Sequence, residues 1–244
     1  MNILLVNDDG IDSLGIKLLE EVLQNYGNVY VFAPKEQQSG KACSINAFIG
    51  INVNKIDERH YSVIGSPVDC VEAGYAFLNG KIDLVVSGCN SGFNLSHDIM
   101  YSGTCGACFQ ASLAKIPSIA FSCENSTYFH LIPYYVPLIL DFVFKHDLLD
   151  THYFLNANFP SIPDVKEIVI SKVYSPIYEE FYPILIDSLD NKYIIERKQI
   201  TKYENDDFDV NVIKNNKISI TPLSQSLFDE KIYKEILKKS KKNI

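Results

Sequence analysis

The amino-acid sequence predicts an α/β fold of the doubly wound kind: a mostly parallel sheet, then a C-terminal β-hairpin extension and a terminal helix. Three observations lead there. Short, continuous apolar runs recur from the N-terminus, as in strands buried on both faces. Between them lie stretches with apolar residues three and four apart, the spacing of one helix face. After about residue 150 the helical stretches drop out, and strands follow one another across polar turns, as in antiparallel hairpins.

Taken in order, Asn2 to Asn7 reads as the first strand and ends abruptly at Asp8-Asp9-Gly10. Leu14, Leu18, Val22 and Tyr26 recur every four residues with Leu19 and Leu23 beside them, one helix face closed by Gly27. Val29 to Ala33 is the second strand, and this strand, helix, strand order implies a right-handed crossover and parallel pairing. The rhythm continues with Tyr61 to Gly65 as strand, Pro67 to Leu78 as helix, Ile82 to Ser87 as strand, Gly103 to Lys115 as helix and Pro117 to Ser122 as strand. Leu131 to Phe144 reads as a buried helix and Tyr153 to Asn158 as a sheet strand. Beyond it, Glu167 to Tyr174, Tyr193 to Ile200 and Val210 to Thr221 read as strands, and Ser224 to Lys239 as an amphipathic helix. No repeat or low-complexity linker interrupts the chain. Residues 1–244 therefore read as one domain, with a core over about 1–160 and an extension over about 161–244.

Size and charge limit what such a fold can do. A chain of 244 residues, 47% of them hydrophobic, hides roughly 70–75% of its unfolded surface, which excludes intrinsic disorder and a small disulfide scaffold. Acids outnumber bases 30 to 22, and without the last fourteen residues, which hold six Lys and one Glu, the body has 29 acids against 16 bases. A body this acidic repels a polyanion, so polymeric nucleic acid is not expected as a partner. Arg59 and Arg197 are the only arginines. Any phosphate chemistry must draw its positive field from backbone amides, hydroxyls or a metal rather than from bidentate guanidinium groups.

Six cysteines fall between positions 43 and 123. The N-terminal MNILLVNDDG has neither the basic start nor the small-residue cleavage site of a signal peptide, so a cytoplasmic protein with free thiols is expected. Cys105 and Cys108 form a lone C-x-x-C; with no second pair to complete a zinc site, they read as small apolar helix residues. Leu131 to Phe144 is interrupted by Pro133, Pro137 and Asp141 and is shorter than the ~18 residues of a membrane span, so no membrane association is expected.

In an open parallel sheet, ligands bind outside the carboxyl ends of the strands, near the point where strand order reverses. The loops expected at that edge carry Asp8-Asp9, then Lys35 to Lys41 with Ser39, then Ser87-Gly88-Cys89-Asn90-Ser91-Gly92-Phe93-Asn94. Two carboxylates, a hydroxyl and an amide carbonyl make an all-oxygen set that suits a hard divalent cation such as Mg²⁺ or Mn²⁺. Each piece alone has a plainer meaning, since Asp-Asp-Gly also serves as a turn with a helix cap. Tyr101-Ser102-Gly103-Thr104 precedes a predicted helix and offers exposed amides and two hydroxyls, an anion site or an ordinary cap. A cation and an anion site side by side are what phosphate ester hydrolysis requires.

The strings ILLVNDDGI, APKEQQSG, GSPVDCV, VVSGCNSGFN, DIMYSGT, IPSIAFS, NANFP and SITPL cover most of residues 1–160 and a short piece near 220. In this order and spacing they closely resemble the stationary-phase survival protein SurE family. The resemblance implies a Rossmann-like core and a metal-dependent phosphatase acting on nucleoside 5′-monophosphates, in some members also on 3′-monophosphates and short polyphosphate. It also implies one divalent ion per subunit, Mg²⁺ or Mn²⁺, and a homodimer or homotetramer that exchanges C-terminal elements. Carried over position by position, Asp8, Asp9, Ser39 and Asn90 match the metal ligands, with Asp8 and Asp9 the catalytic carboxylates. Gly40, Asn94, Ser102, Gly103 and Thr104 match the phosphate-contacting part of the motif. A metal-activated water is then the nucleophile, and one carboxylate of the Asp pair takes its proton.

The chain also departs from that family. Gln110 stands where a Glu is usual, His97 where Gly or an acid is more frequent, and Asn46 where Thr is common, while Pro176 to Phe208 matches poorly. These departures motivate an alternative, a non-catalytic nucleotide-sensing or partner-binding protein on the same fold. A response-regulator receiver would need a further phosphoacceptor Asp and a Lys on the same edge, where this chain has Ser-Gly and Ser-Gly-Cys-Asn.

Overall fold

Strand β1 (Asn2–Val6) alternates its side chains between two cores: Ile3 and Leu5 enter one, Leu4 and Val6 the other. Each such burial contributes about 1.5–3 kcal/mol, and that is why the run is apolar without alternation. The computed structural model describes residues 1–175, 177–187, 190, 192–200, 205–224, 226 and 229–240. β1 lies inside a nine-stranded sheet with β2 (Asn28–Pro34), β3 (Asn52–Lys55), β4 (His60–Ile64), β5 (Leu84–Ser91), β6 (Ser118–Cys123), β7 (Tyr153–Asn158), β8 (Ile168–Ile170) and β11 (Ile218–Ser224). Strand order is β3-β4-β2-β1-β5-β6-β7-β11-β8; only β3 with β4 and β7 with β11 pair antiparallel. From β1 the chain moves outward to β2 and on to the edge strand β3, returns between them as β4, then crosses back to β5 and moves outward the other way through β6 and β7. Strand order thus reverses between β1 and β5, the crevice where ligands of such sheets sit.

Helices cover both faces. α1 (Leu14–Leu23) and α4 (Ile132–Lys145) pack over one core with Leu19, Phe121, Tyr135 and Ile139; α2 (Pro67–Phe77) and α3 (Gly103–Leu113) pack over the other with Leu4, Phe32, Val71 and Ala107. The predicted doubly wound α/β class is the one observed. All six cysteines are free thiols, and Cys105 and Cys108 are fully buried on α3.

Several elements differ from expectation, each for a physical reason. An edge strand, β3, precedes β4, and β5 runs on to Ser91, so Asn90 lies at a strand end rather than in a loop. With the 3-10 turn before it, α4 forms a 20-residue helical stretch, Ser126–Lys145, apolar and long enough to cross a membrane by length and composition. Eight of the stretch's residues, among them Phe129, Ile132, Tyr135 and Leu140, are buried against this protein's own core, so its apolar character is accounted for by packing. In the extension, Glu167 to Tyr174 contributes only β8 and an isolated bridge at Lys172, and Val210 to Thr221 divides into α5 (Asp209–Lys214) and β11. The hairpin is a separate two-stranded ribbon of β9 (Ile177–Asp187) and β10 (Lys192–Ile200). The terminal helix α6 spans Glu230–Ser240; residues 225, 227 and 228 of its expected start lie outside the described residues.

Candidate active site

The turn after β1 is folded by a side chain. Buried Asn7 donates through Nδ2 to Gly10 O at 2.8 Å and to Ser13 Oγ at 2.9 Å, and Gly10 N–H donates back to Asn7 Oδ1 at 3.3 Å. That ring holds Asp8 and Asp9 at the carboxyl end of β1, while Ser13 caps α1. Asp8 is 3% exposed. Thr104 Oγ1 donates to its Oδ1 at 2.7 Å, and the Thr104 amide faces the same carboxylate. Burial raises the Asp8 carboxyl above the ordinary carboxylate range; the Thr104 hydroxyl opposes this and the Asp9 charge adds to it.

Gly103 makes this approach possible. A Cβ there would stand 2.9 Å from Asp8 Cβ, 3.0 Å from Pro67 Cγ and 3.1 Å from Asp8 Oδ2. The first turn of α3 therefore rests directly on the Asp8 carboxylate. Ser102 is its N-cap and accepts from Cys105 N–H at 3.0 Å, leaving Gly103 N–H among the orphan donors of the helix start.

Asp9 is half-buried. Ser91 N–H donates to its Oδ2 at 3.1 Å, tying β1 to the end of β5 beside Asn90. Gln37 Nε2 lies 3.5 Å from Asp9 Oδ1 and donates to Ser39 Oγ at 3.1 Å, which draws the Ser39 loop to the same edge. Gln38 N–H donates to Asp8 O at 2.7 Å and anchors that loop's other side. Asn90 donates through Nδ2 to Gly92 O at 2.8 Å, which turns its carbonyl oxygen away from Gly92.

Asp8, Asp9, Ser39, Asn90, Ser102, Gly103 and Thr104 thus gather at one sheet edge. The two others are placed differently. Gly40 is exposed with open space around it, at φ +74°. Asn94 is buried in an amide network: its N–H donates to Asn158 Oδ1 at 3.0 Å, its Nδ2 to Ser122 Oγ at 2.8 Å, and its carbonyl accepts from Asn156 at 2.7 Å and Asn158 at 3.1 Å. Asn94 here fixes the segment leading to Ser102. The sequence reading places Gln37 and Ser91 in loops of this edge but assigns no role to them, nor to Asn7, Asn156 or Asn158. Polar side chains on strands otherwise buried on both faces were the available signal for Asn156 and Asn158. His97 is half-exposed, with Nε2 2.9 Å from Ser175 Oγ.

Among the described residues no group of three or more His, Cys, Asp or Glu could hold a metal. The edge instead offers two adjacent carboxylates, a hydroxyl and an amide carbonyl, all oxygen donors. Two neighbouring carboxylates, one of them buried, are held together at the cost of desolvation and mutual repulsion, a cost that a hard divalent cation offsets. The residues present fit such an ion.

A family model described as Survival protein SurE matches residues 3–180. The chain belongs to the SurE family. A protein of Clostridium botulinum strain Eklund 17B / Type B named 5′-nucleotidase SurE is 35% identical over 250 residues, covering 97% of each chain. Another so named, from strain 657 / Type Ba4, is 35% identical over 245 residues, covering 96% of this chain and 97% of that one. The crystal structure of SurE protein from Aquifex aeolicus superposes with a TM-score of 0.83 at 32% identity, covering 97% of this chain and 98% of that one. The family match spans β1, the Ser39 loop, β5 and α3, the elements that carry the site.

Proposed function

We propose that this SurE-family chain hydrolyses nucleoside 5′-monophosphates to nucleoside and phosphate with the help of one divalent cation. One observation carries the reading: a buried Asp8 and a half-buried Asp9 meet the first turn of α3 at the reversal of strand order. Relatives named 5′-nucleotidase SurE support the substrate class.

Asp8, Asp9, Ser39 and Asn90 would hold the ion, which when bound supplies Lewis acidity at a phosphoryl oxygen and a nucleophile near neutral pH. Thr104 orients Asp8 from two donors, so its geometry is set before substrate arrives. Asp9, less buried and bonded through Oδ2 to Ser91, is the carboxylate placed to take a proton from the attacking water. Ser102 and the Gly103 amide receive phosphoryl oxygens at the positive end of α3.

Phosphate release from AMP and GMP, and from 3′-monophosphates and short polyphosphate, with Mg²⁺ or Mn²⁺ tests the reading. Asp9→Asn is expected to lower turnover by on the order of 100-fold or more; full activity in that variant would overturn it. Binding of AMP without phosphate release under either metal leaves a nucleotide-binding protein instead.

We also infer self-association. Ile184, Ile194 and Ile195 of the ribbon are 43%, 55% and 55% exposed, and α6 has no buried residue. Apolar surface of this extent calls for a partner, and a second copy of the chain is the one proposed.

A further inference from the structure

Beside the phosphate edge lies a cleft of about 570 Å³, lined by Gln38, Lys41, Ile45, Asn46, Ile49 and Ile64 among others. Its size falls within the range of small-molecule pockets, about 300–1,000 Å³. The cleft adjoins the site through its wall residues. Gln38, in its wall, bonds Asp8 O at 2.7 Å. Ser66, also in its wall, precedes Pro67, which would stand 3.0 Å from a Cβ on Gly103. The Ala42 carbonyl sits against Gly106 of α3, so the loop forming the cleft is pinned to the helix that starts at Ser102.

Asn46 in this wall is held in one orientation. Its N–H donates to Asp69 Oδ1 at 2.9 Å and its Nδ2 to Asp69 Oδ2 at 2.7 Å. Asp69 is 1% exposed and is fixed by Ser66 N–H at 2.7 Å in the capping box of α2. A carboxylate only accepts, so the amide nitrogen must face Asp69, and Oδ1 points the other way as an acceptor. Ile45, Ile49 and Ile64 beside it are 48%, 84% and 50% exposed. A largely polar cleft with three isoleucine side chains and one fixed acceptor, lying beside a phosphate edge, has the chemistry to take a flat heterocycle with N–H or O–H donors attached to a phosphate.

We propose that the cleft walled by Ile45, Ile49 and Ile64 receives the nucleoside half of the substrate, and that Asn46 Oδ1 accepts a hydrogen bond from it. This assignment rests on the nucleotidase reading and makes Asn46, where the SurE resemblance expects Thr, a specificity-determining residue. The full-length protein and its Asn46→Ala and Ile49→Ser variants are compared by equilibrium dialysis with adenosine, guanosine, cytidine and uridine. Phosphate release is measured from the four ribonucleotides, their 2′-deoxy forms and phenyl phosphate. Ile49, largely exposed, guards against a variant that merely unfolds, and thermal melts check both. The expected result is a roughly tenfold loss in nucleoside affinity and in kcat/KM for nucleotides, with phenyl phosphate hydrolysis unchanged. A loss in Asn46→Ala confined to ribonucleotides assigns the donor to the ribose, and an equal loss in the deoxy series assigns it to the base. Wild-type release from nucleotides that neither variant alters overturns the cleft assignment while the nucleotidase reading stands. Nucleoside binding weakened by both variants with no phosphate release from any ester upholds the cleft and overturns the hydrolytic reading. Absence of nucleoside binding, or a change only in oligomer mass, overturns the assignment.

Discussion

Gly103 sets how closely α3 can approach β1, and its lack of a side chain is a requirement of the site. In Gly103→Ala the new methyl would press on both Asp8 and Pro67, neither a flexible side-chain end. A stability loss of about 1–3 kcal/mol in urea unfolding and a larger proportional loss of phosphatase activity are expected. Thr104 makes the complementary case. Thr104→Val keeps the shape and removes the hydroxyl from a carboxylate that is 3% exposed. About 1–3 kcal/mol of stability should go with it, while Thr104→Ser restores most of it; denaturation with chelator present reads the protein's own term. The sequence announced both residues as anion-site candidates. It could not announce that Thr104 spends both donors on Asp8, because that depends on how α3 lands on β1.

At the scale of elements, the departure at Gln110 has a partner. Gln110 Nε2 on α3 donates to Glu72 Oε1 on α2 at 3.0 Å, and burial together with the Asp69 charge already raises the Glu72 carboxyl. A Glu at 110 would set two carboxylates against each other. Gln110→Glu should destabilise by up to about 1 kcal/mol near neutral pH, the pair being partly solvated. Both carboxyls would then have folded pKa values above their unfolded ones, so the loss should fade as pH falls, and Glu72→Gln in the same chain should cancel it. His60 joins β4 to α1 by the opposite sign: Glu20 lies 3.0 Å and Asp57 2.8 Å from its ring nitrogens. Burial lowers its pKa, but the hydrogen bonds and charges of Glu20 and Asp57 outweigh that and raise it. A raised folded value places the stabilisation below the unfolded His pKa and removes it as pH rises through the folded one. Wild type should therefore melt above His60→Gln at about pH 5.5 and match it at about pH 9; a constant gap would contradict the assignment. The elements themselves were legible where a core leaves its pattern in the sequence, as a continuous apolar run in β1 and as one helix face in α1. They were not where exposure removes it: β9 carries Glu179, Glu180 and Pro183 among apolar residues, and none of its described residues from Phe181 to Asp187 is buried to impose alternation. In α5, Val210 and Val212 mimic strand alternation, whereas Asp209 in the first turn and Asn215-Asn216 after the last were the helix signals.

For the whole molecule, the opposed charge of body and tail acquires a structural meaning. The sheet and its helices close around two cores, yet α6 presents Ile232, Ile236 and Leu237 at 55%, 60% and 37% exposure on one side of a lysine-rich helix. The sequence sets six lysines in the last fourteen residues against a body with 29 acids and 16 bases. An apolar stripe flanked by cations is complementary to an acidic partner, and the body of a second copy is such a surface. Charge then steers the encounter and apolar burial holds it. The sequence could locate the stripe, from its spacing, but not the surface that receives it, since that surface is assembled from distant segments. Ending the chain at Ser224 preserves β11, so the sheet should remain folded. Light scattering of this truncation, and of Ile232→Glu with Ile236→Glu in the full chain, should show a lower mass than wild type, and raised salt should weaken wild-type assembly. If both variants keep the wild-type mass, α6 is not the contact, and the exposed ribbon residues Ile184, Ile194 and Ile195 become the surface to substitute next.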